Sequence, residues 1–141
     1  MIVEDDFIIK SELKIVIESL GYQVTTMASG AEEAIKKAEE QNPDIILMDI
    51  RLEGKMDGIE AADIIRSRFS IPIVFLTAYL DQERIERVKR TMPFGFLLKP
   101  VQEKDLKVTI EMALYVSKVD KERRAAEEAL KGQEKIALHL S

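Results

Sequence analysis

Cysteine is absent from the 141 residues, and histidine occurs once, as His139. Without cysteine, the chain can form neither a disulfide framework nor a thiolate metal site. Basic residues are also outnumbered, with 21 Lys and Arg against 26 Asp and Glu and a formal net charge of -5. This balance argues against a nucleic-acid-binding surface, which is normally basic. We interpret the lone His139 as neither a metal ligand nor a phosphodonor.

Long apolar runs are missing too. The longest are much shorter than the roughly 20 residues that a transmembrane helix needs. The chain turns acidic at Glu4, whereas a signal peptide has a basic start followed by an apolar middle. We therefore predict no membrane partner and expect a cytoplasmic location. The length is typical of a single domain.

Short apolar runs alternate with amphipathic stretches along the chain. The runs predict five strands, at residues 1–3, 22–28, 44–48, 71–76 and 95–98. Helical spacing predicts five helices, at residues 7–20, 29–40, 58–69, 81–91 and from 103 onward. Ser29 and Glu32 fit a capping box that opens the second helix. Strands that are apolar on both faces and alternate with helices predict an α/β fold with a parallel sheet.

Polar side chains follow four of the predicted strands. They are Glu4, Asp5 and Asp6 after the first, Asp49 after the third, Thr77 after the fourth and Lys99 after the fifth. Each alone has an ordinary explanation, such as a helix cap or an exposed loop charge. The carboxyl ends of parallel strands, however, lie along one edge of the sheet, where such folds build their sites. The joint placement predicts one crevice.

The chemistry of these groups indicates phosphoryl transfer. Crowded carboxylates raise each other's pKa unless a cation neutralises them. Oxygen ligands without His or Cys favour Mg²⁺ over zinc. An Asp carboxylate can act as the nucleophile that forms an acyl phosphate, and Lys99 and Thr77 are donors suited to a phosphoryl group. Asp49 is therefore the predicted phosphate acceptor.

Five motifs occur in a specific order. They are Glu4-Asp5, Asp49 after Ile-Ile-Leu-Met, Asp57-Gly58, Leu76-Thr77-Ala78 and Lys99-Pro100. With these motifs, residues 1–117 resemble the receiver domain of two-component response regulators. The resemblance implies a flavodoxin-like (βα)5 three-layer sandwich with strand order 2-1-3-4-5. It also implies a partner, either a histidine kinase or a phosphotransfer protein, and a switch rather than an enzyme, limited to self-phosphorylation and autodephosphorylation.

The resemblance also implies roles for acidic-site residues. Asp49 would take the phosphoryl group from a phosphohistidine. Asp5 would bind Mg²⁺ directly, Glu4 through a water, and Arg51 through its backbone carbonyl. Asp6 ranks below Glu4 and Asp5 as a metal contact.

Other roles concern the phosphorylated state. Thr77 and Lys99 would each bond a phosphoryl oxygen. Phe96 matches an aromatic switch position and would turn inward as Thr77 moves toward the phosphate. The bond before Pro100 would be cis, which only an X-Pro bond permits at low cost. Tyr79 and Arg51 flank the crevice.

The chain also departs from the family pattern. Only three residues precede Glu4, so we expect an incomplete N-terminus. The loop at residues 51–58 is slightly extended. Residues 118–141 form a predicted helical extension, either a solvated tail or a coiled-coil linker to an output or sensor domain outside this sequence. Its rough heptad consists of Val116, Val119, Ala126, Leu130, Ala137 and Leu140.

The sequence is also compatible with other assemblies and functions. One hypothesis is a homodimer, formed through the fourth helix, the fifth strand, the fifth helix or the C-terminal helix. The fourth helix carries a basic set, which is either a solvated face or part of such a dimer interface: Arg84, Arg87, Lys89 and Arg90. A flavin site needs a phosphate-cradling loop where Glu4-Asp5-Asp6 stands. A phosphatase with an Asp nucleophile would need a second acidic residue, as general acid, two positions after Asp49, where Arg51 stands. A phosphorylation-independent interaction module remains the alternative function.

Overall fold

Five strands and five helices alternate along the chain in the computed structural model, which describes residues 1–78 and 81–140, with side chains up to residue 133. The strands are β1 (Ile2–Val3), β2 (Met27–Ala28), β3 (Ile46–Asp49), β4 (Ile73–Thr77) and β5 (Gly95–Leu98). The helices are α1 (Phe7–Ser19), α2 (Ala31–Gln41), α3 (Gly58–Phe69), α4 (Gln82–Thr91) and α5 (Glu103–Leu140). All pairings are parallel, in the order β2-β1-β3-β4-β5. The predicted flavodoxin-like fold is confirmed.

Strand lengths differ from the prediction where pairing partners are short. The predicted strand at residues 22–28 is reduced to the two residues of β2, because β2 is an edge strand and pairs only with the two residues of β1. The strand predicted from residue 71 starts at Ile73. Pro72 has no N–H with which to continue the ladder, although its carbonyl accepts from the Ile46 N–H at 3.0 Å.

The helix starts show which polar residues act as caps. Asp57 caps α3 through its Oδ1, which accepts from the Glu60 N–H at 3.0 Å. The capping box predicted at Ser29 is wrong, because α2 starts one residue later and its N-cap is Gly30, which has no side chain. With this start, Glu33 takes the third helical position, and its carboxylate accepts from the Ser29 N–H at 3.4 Å.

The core consists of two apolar layers, one on each face of the sheet. Phe75 packs with residues of α2, α3 and α4, whereas its neighbour Leu76 packs with residues of α1 and α5. Successive strand residues point to opposite faces, so a strand buried on both sides must be apolar throughout. The result is a three-layer sandwich whose strand ends remain accessible at one edge.

Helix α5 continues far beyond this core. Among its described side chains the last buried one is that of Ala113, and residues 121–133 are all exposed. At 1.5 Å per residue, its 38 residues span about 57 Å. Ion pairs within the helix, such as that of Arg123 with Asp120 at 3.0 Å, line the exposed part. None of the helices in the described part of the chain is long and apolar enough to cross a membrane.

Candidate functional site

Three predicted acidic residues meet at the carboxyl edge of the sheet. Glu4, Asp5 and Asp49 each offer a carboxylate oxygen, and these atoms all lie within 4.8 Å of one another. The register of β1 with β3 explains the meeting, because Val3 pairs with Met48 and the residue after each partner is an acid. Glu4 and Asp49 are buried, whereas Asp5 is exposed. The cluster therefore has one open side.

Lys99 reaches this cluster from the end of β5. Its Nζ lies 2.8 Å from Oε2 of Glu4 and 3.2 Å from Oδ2 of Asp49. Thr77 ends β4, between the strands that carry Asp49 and Lys99, and is buried. Its carbonyl accepts from the Lys99 N–H at 2.8 Å, which fixes the end of β5 against the end of β4. Four strand ends thus contribute to one site.

Asp49 is held at both oxygens. Its Oδ2 faces Lys99, and its Oδ1 accepts from the Arg51 N–H at 3.1 Å. Glu4 is held similarly, because its Oε1 accepts from the Asp6 N–H at 3.3 Å. The Asp6 carboxylate faces elsewhere and caps α1 by accepting from the N–H groups of Ile8 and Ile9. Asp6 therefore acts as a helix cap.

Burial controls the protonation of the site. It raises the pKa of Glu4 from 4.5 to about 7, and the nearby Asp49 adds to this rise while Lys99 opposes it. For Lys99, burial lowers the pKa, but hydrogen bonds and charge from Glu4 and Asp49 outweigh it and leave the pKa above its usual value. The Lys99 ammonium alone therefore does not relieve the crowding of the carboxylates.

The donor set fits a hard divalent cation. Glu4, Asp5 and Asp49 supply only oxygen ligands, which Mg²⁺ prefers, and the exposed Asp5 leaves room for the waters that Mg²⁺ retains. A cavity of about 360 Å³ adjoins this open side. Its lining residues are Asp5, Ile50, Arg51, Leu52, Glu53, Asp57 and Arg84. A metal ion and a phosphodonor would thus have access to the same side of the cluster.

Gly58 supports the site by close packing, a role that the sequence motif alone did not reveal. A Cβ at this position would lie 1.9 Å from the carbonyl oxygen of Asp49. The Gly58 N–H also donates to the Ile50 carbonyl at 2.9 Å. The chain between β3 and α3 therefore folds directly onto the backbone of the predicted phosphoacceptor, which only glycine allows.

The remaining predicted residues lie at the margin of the site. Phe96 is half-exposed, at 49%, on the edge strand β5. The peptide bond between Lys99 and Pro100 is cis. Arg51 is exposed in the loop after β3, and metal binding by its carbonyl remains a prediction. Tyr79 lies outside the described residues.

Comparisons with known proteins agree with this geometry. The family model described as the response regulator receiver domain matches residues 1–111. The transcriptional regulatory protein PdtaR of Mycobacterium tuberculosis is 34% identical over 114 residues, which cover 81% of this chain and 55% of that protein. The phyllosphere-induced regulator PhyR of Methylorubrum extorquens is 32% identical over 126 residues, covering 89% of this chain and 46% of PhyR. The chain thus spans about half the length of these relatives.

Solved structures give the same result. The signal receiver domain of a modulated diguanylate cyclase from Desulfovibrio desulfuricans superposes with a TM-score of 0.81 at 42% identity, covering 84% of this chain and 94% of that one. The N-terminal domain of a response regulator/sensory box/GGDEF protein from Carboxydothermus hydrogenoformans superposes with a TM-score of 0.77 at 32% identity. This match covers 84% of this chain and 95% of that one. The chain belongs to the response regulator receiver domain family, whose members act as switches in two-component signalling.

Proposed function

We propose that Asp49 accepts a phosphoryl group from the phosphohistidine of a histidine kinase or phosphotransfer protein, and that this modification switches the domain between two states. The observation that carries the proposal is the position of the Lys99 ammonium, 2.8 Å from Glu4 and 3.2 Å from Asp49, beside the exposed Asp5. A cation, a nucleophilic carboxylate and an open metal-binding side are the groups that this chemistry needs.

In the proposed reaction, an Asp49 carboxylate oxygen attacks phosphorus. The new O–P bond forms as the N–P bond to the partner's imidazole breaks, and the bond electrons leave with the imidazole nitrogen. Glu4, Asp5, Asp49 and the Arg51 carbonyl would hold Mg²⁺, which when bound would neutralise the charge of the transferring group. Lys99 would then pair with a phosphoryl oxygen.

The partner must reach Asp49 from the open side at Asp5, and apolar side chains are exposed two and three residues further along the chain. Phe7 and Ile8 begin α1 directly after the acidic run and are 74% and 67% exposed. Exposed aromatic and aliphatic side chains at the mouth of a site are suited to a protein contact. We propose that the phosphodonor protein docks on Phe7 and Ile8.

In the proposed switch, modification of Asp49 changes the position of Phe96 on β5. Thr77 would move to bond a phosphoryl oxygen and vacate space, and Phe96 would turn into that space. The half-exposed position of Phe96 is then the unphosphorylated one. This change would alter the surface formed by α4, β5 and α5, which receives the output partner.

We further propose that α5 pairs with α5 of a second copy. An exposed apolar stripe on this helix has the 4-3-4 spacing of a coiled coil, and it consists of Val108, Met112, Tyr115 and Val119. Leu130 is also apolar and 57% exposed, but it lies outside this spacing. Residues 1–117 would be the switch and 118–141 a connector to an output or sensor domain. The side chains of Ala137 and Leu140 lie outside the described residues, and the cytoplasmic location remains a prediction.

A phosphoryl mimic tests the switch directly. Beryllofluoride should bind the parent protein in isothermal titration calorimetry only when Mg²⁺ is present. Both would bind at the same carboxylate cluster, where Mg²⁺ would neutralise the negative charge. The Asp49→Asn variant should bind neither beryllofluoride nor Mg²⁺ detectably. Circular dichroism checks that the variant is folded. A folded parent that binds no beryllofluoride with Mg²⁺ would favour a phosphorylation-independent interaction module instead.

A further inference from the structure

Helix α4 is attached to the domain by few apolar contacts. Only Val88 and Thr91 of its ten residues are buried. Burial of apolar area is the main force that fixes a helix on a domain. A helix with so little of it depends on its polar contacts for its position, and such elements move at low energetic cost.

Arg87 makes polar contacts between α4 and the start of α3, at the N-cap residue Asp57 and in the first turn. Its Nη1 lies 2.7 Å from Oδ2 of Asp57, and its Nη2 lies 3.6 Å from Oε1 of Glu60. Arg84 and Lys89, by contrast, pair with acids of their own segment, at Asp81 and Glu86. About one turn further along, at the last residue of the helix, the Thr91 carbonyl accepts from Arg66 at 2.9 Å. Arg87 therefore ties the middle of α4 to Asp57 and to the first turn of α3.

Asp57 connects this anchor to Asp49. Its Oδ1 caps α3 while its Oδ2 receives Arg87. The next residue, Gly58, lies against the Asp49 backbone so closely that no Cβ fits. The ion pair thus joins α4 to the stretch of chain packed directly on the proposed phosphoacceptor. A displacement of either partner changes the distance between their charged groups.

We propose that the Arg87–Asp57 ion pair holds α4 in its unphosphorylated position and opposes the rearrangement that follows modification of Asp49. This proposal rests on the proposed switch function. A contact shifts an equilibrium between two states only if it is stronger in one of them. The pair forms in the state where Phe96 is half-exposed, so removing it favours the state to which a phosphoryl mimic binds.

Two variants with opposite charge changes separate this effect from a general electrostatic one. Asp57→Asn keeps an oxygen for capping α3, since Asn caps as well as Asp, but removes the negative charge. Arg87→Gln removes the positive charge and retains a good helix former. Altered charge near the cluster would change Mg²⁺ attraction in opposite directions for the two variants, whereas loss of the ion pair acts in the same direction for both.

The readout is the affinity for beryllofluoride at saturating Mg²⁺. Both single variants should bind about two- to five-fold more tightly than the parent, as expected for a partly exposed ion pair. The double variant should gain no more than either single one, because the same contact is lost. Arg90→Gln is the matched control, since Arg90 is exposed and forms no ion pair with any described residue. Its affinity should equal that of the parent.

Opposite shifts in the two single variants, no shift, or additive shifts in the double variant would overturn the proposal. Those results would leave the switch function intact, because the parent would still bind the mimic. A parent that fails to bind beryllofluoride would instead overturn the switch function and, with it, the regulatory role of the ion pair.

Discussion

The ammonium of Lys99 lies 2.8 Å from a carboxylate oxygen of Glu4, which connects residues 95 positions apart in the sequence. Glu4 is 1% exposed, so its charge is shielded from water by the protein. A buried charge is tolerated only when it is paired. This contact is therefore a structural requirement of the site, and it also keeps Lys99 next to Asp49.

The stability of the metal-free protein should fall as pH rises through neutrality. Burial raises the pKa of Glu4 to about 7 in the folded protein, against 4.5 for an ordinary glutamate. The folded state therefore holds this proton more tightly, and the resulting stabilisation is full below the unfolded value. It is lost as pH rises through about 7. Urea denaturation across this range, with a chelator present, measures the loss.

Glu4→Gln provides the control for this titration. The amide has a similar shape and does not ionise, so the free energy of unfolding should depend less on pH in the variant than in the parent. Identical pH dependence in the two proteins would show that Glu4 does not titrate in this range.

Replacing Lys99 by Met should destabilise the protein most at high pH. The substitution leaves Glu4 and Asp49 without their ammonium partner, and a lost charged hydrogen-bond partner costs roughly 1–3 kcal/mol. At low pH Glu4 can take up a proton, which reduces the cost. Thermal unfolding at two pH values measures the difference, with the exposed Lys89→Met as control. Equal destabilisation at both pH values would contradict the pairing of Lys99 with an ionised Glu4.

Gly58→Ala should disturb the site more than its single added methyl group suggests. The new Cβ would meet the Asp49 carbonyl oxygen at 1.9 Å, so the backbone must shift, at a cost of roughly 1–3 kcal/mol. The free energy of unfolding should fall by that amount, and Mg²⁺ binding should weaken. Gly132→Ala, where no atom lies within 4 Å of the added Cβ, should instead be neutral or stabilising.

The exposed stripe of α5 makes a prediction about assembly. If two copies pair through it, Val119→Glu should place two carboxylates in the interface and shift the protein toward monomer. Sedimentation velocity over a range of concentrations measures this shift, with Lys118→Glu as a charge-change control beside the stripe. A parent that stays monomeric at all concentrations would contradict pairing through α5 in this chain.

The parts of the fold that follow from local pattern were predictable from the sequence. Residues 58–69 match the observed α3, which apolar spacing and the preceding cap Asp57 define, and residues 95–98 match β5, which a short apolar run defines. The length of β2 depends on its partner strand, so the apolar run at residues 22–28 could not reveal it. The start of α2 depended on a competition between Ser29 and Gly30 for the cap, which sequence alone did not decide.

The candidate site, like the fold, has features that the sequence predicted and features that depend on packing. Parallel strand ends share an edge, so the meeting of Glu4, Asp5 and Asp49 was predictable from topology. The pairing of Arg87 with Asp57 was not, because it depends on how α4 packs beside α3. The tight approach of Gly58 to Asp49 likewise depends on three-dimensional packing that a two-residue motif does not encode.

Intact-mass spectrometry tests the central claim, that Asp49 is the phosphoacceptor. After incubation with acetyl phosphate and Mg²⁺, the parent should gain the mass of one phosphoryl group, and a chelator should prevent the gain. Asp49→Asn, with its fold confirmed by circular dichroism, should gain nothing under the same conditions. An equal gain in the variant, or none in a folded parent supplied with Mg²⁺, would contradict the account.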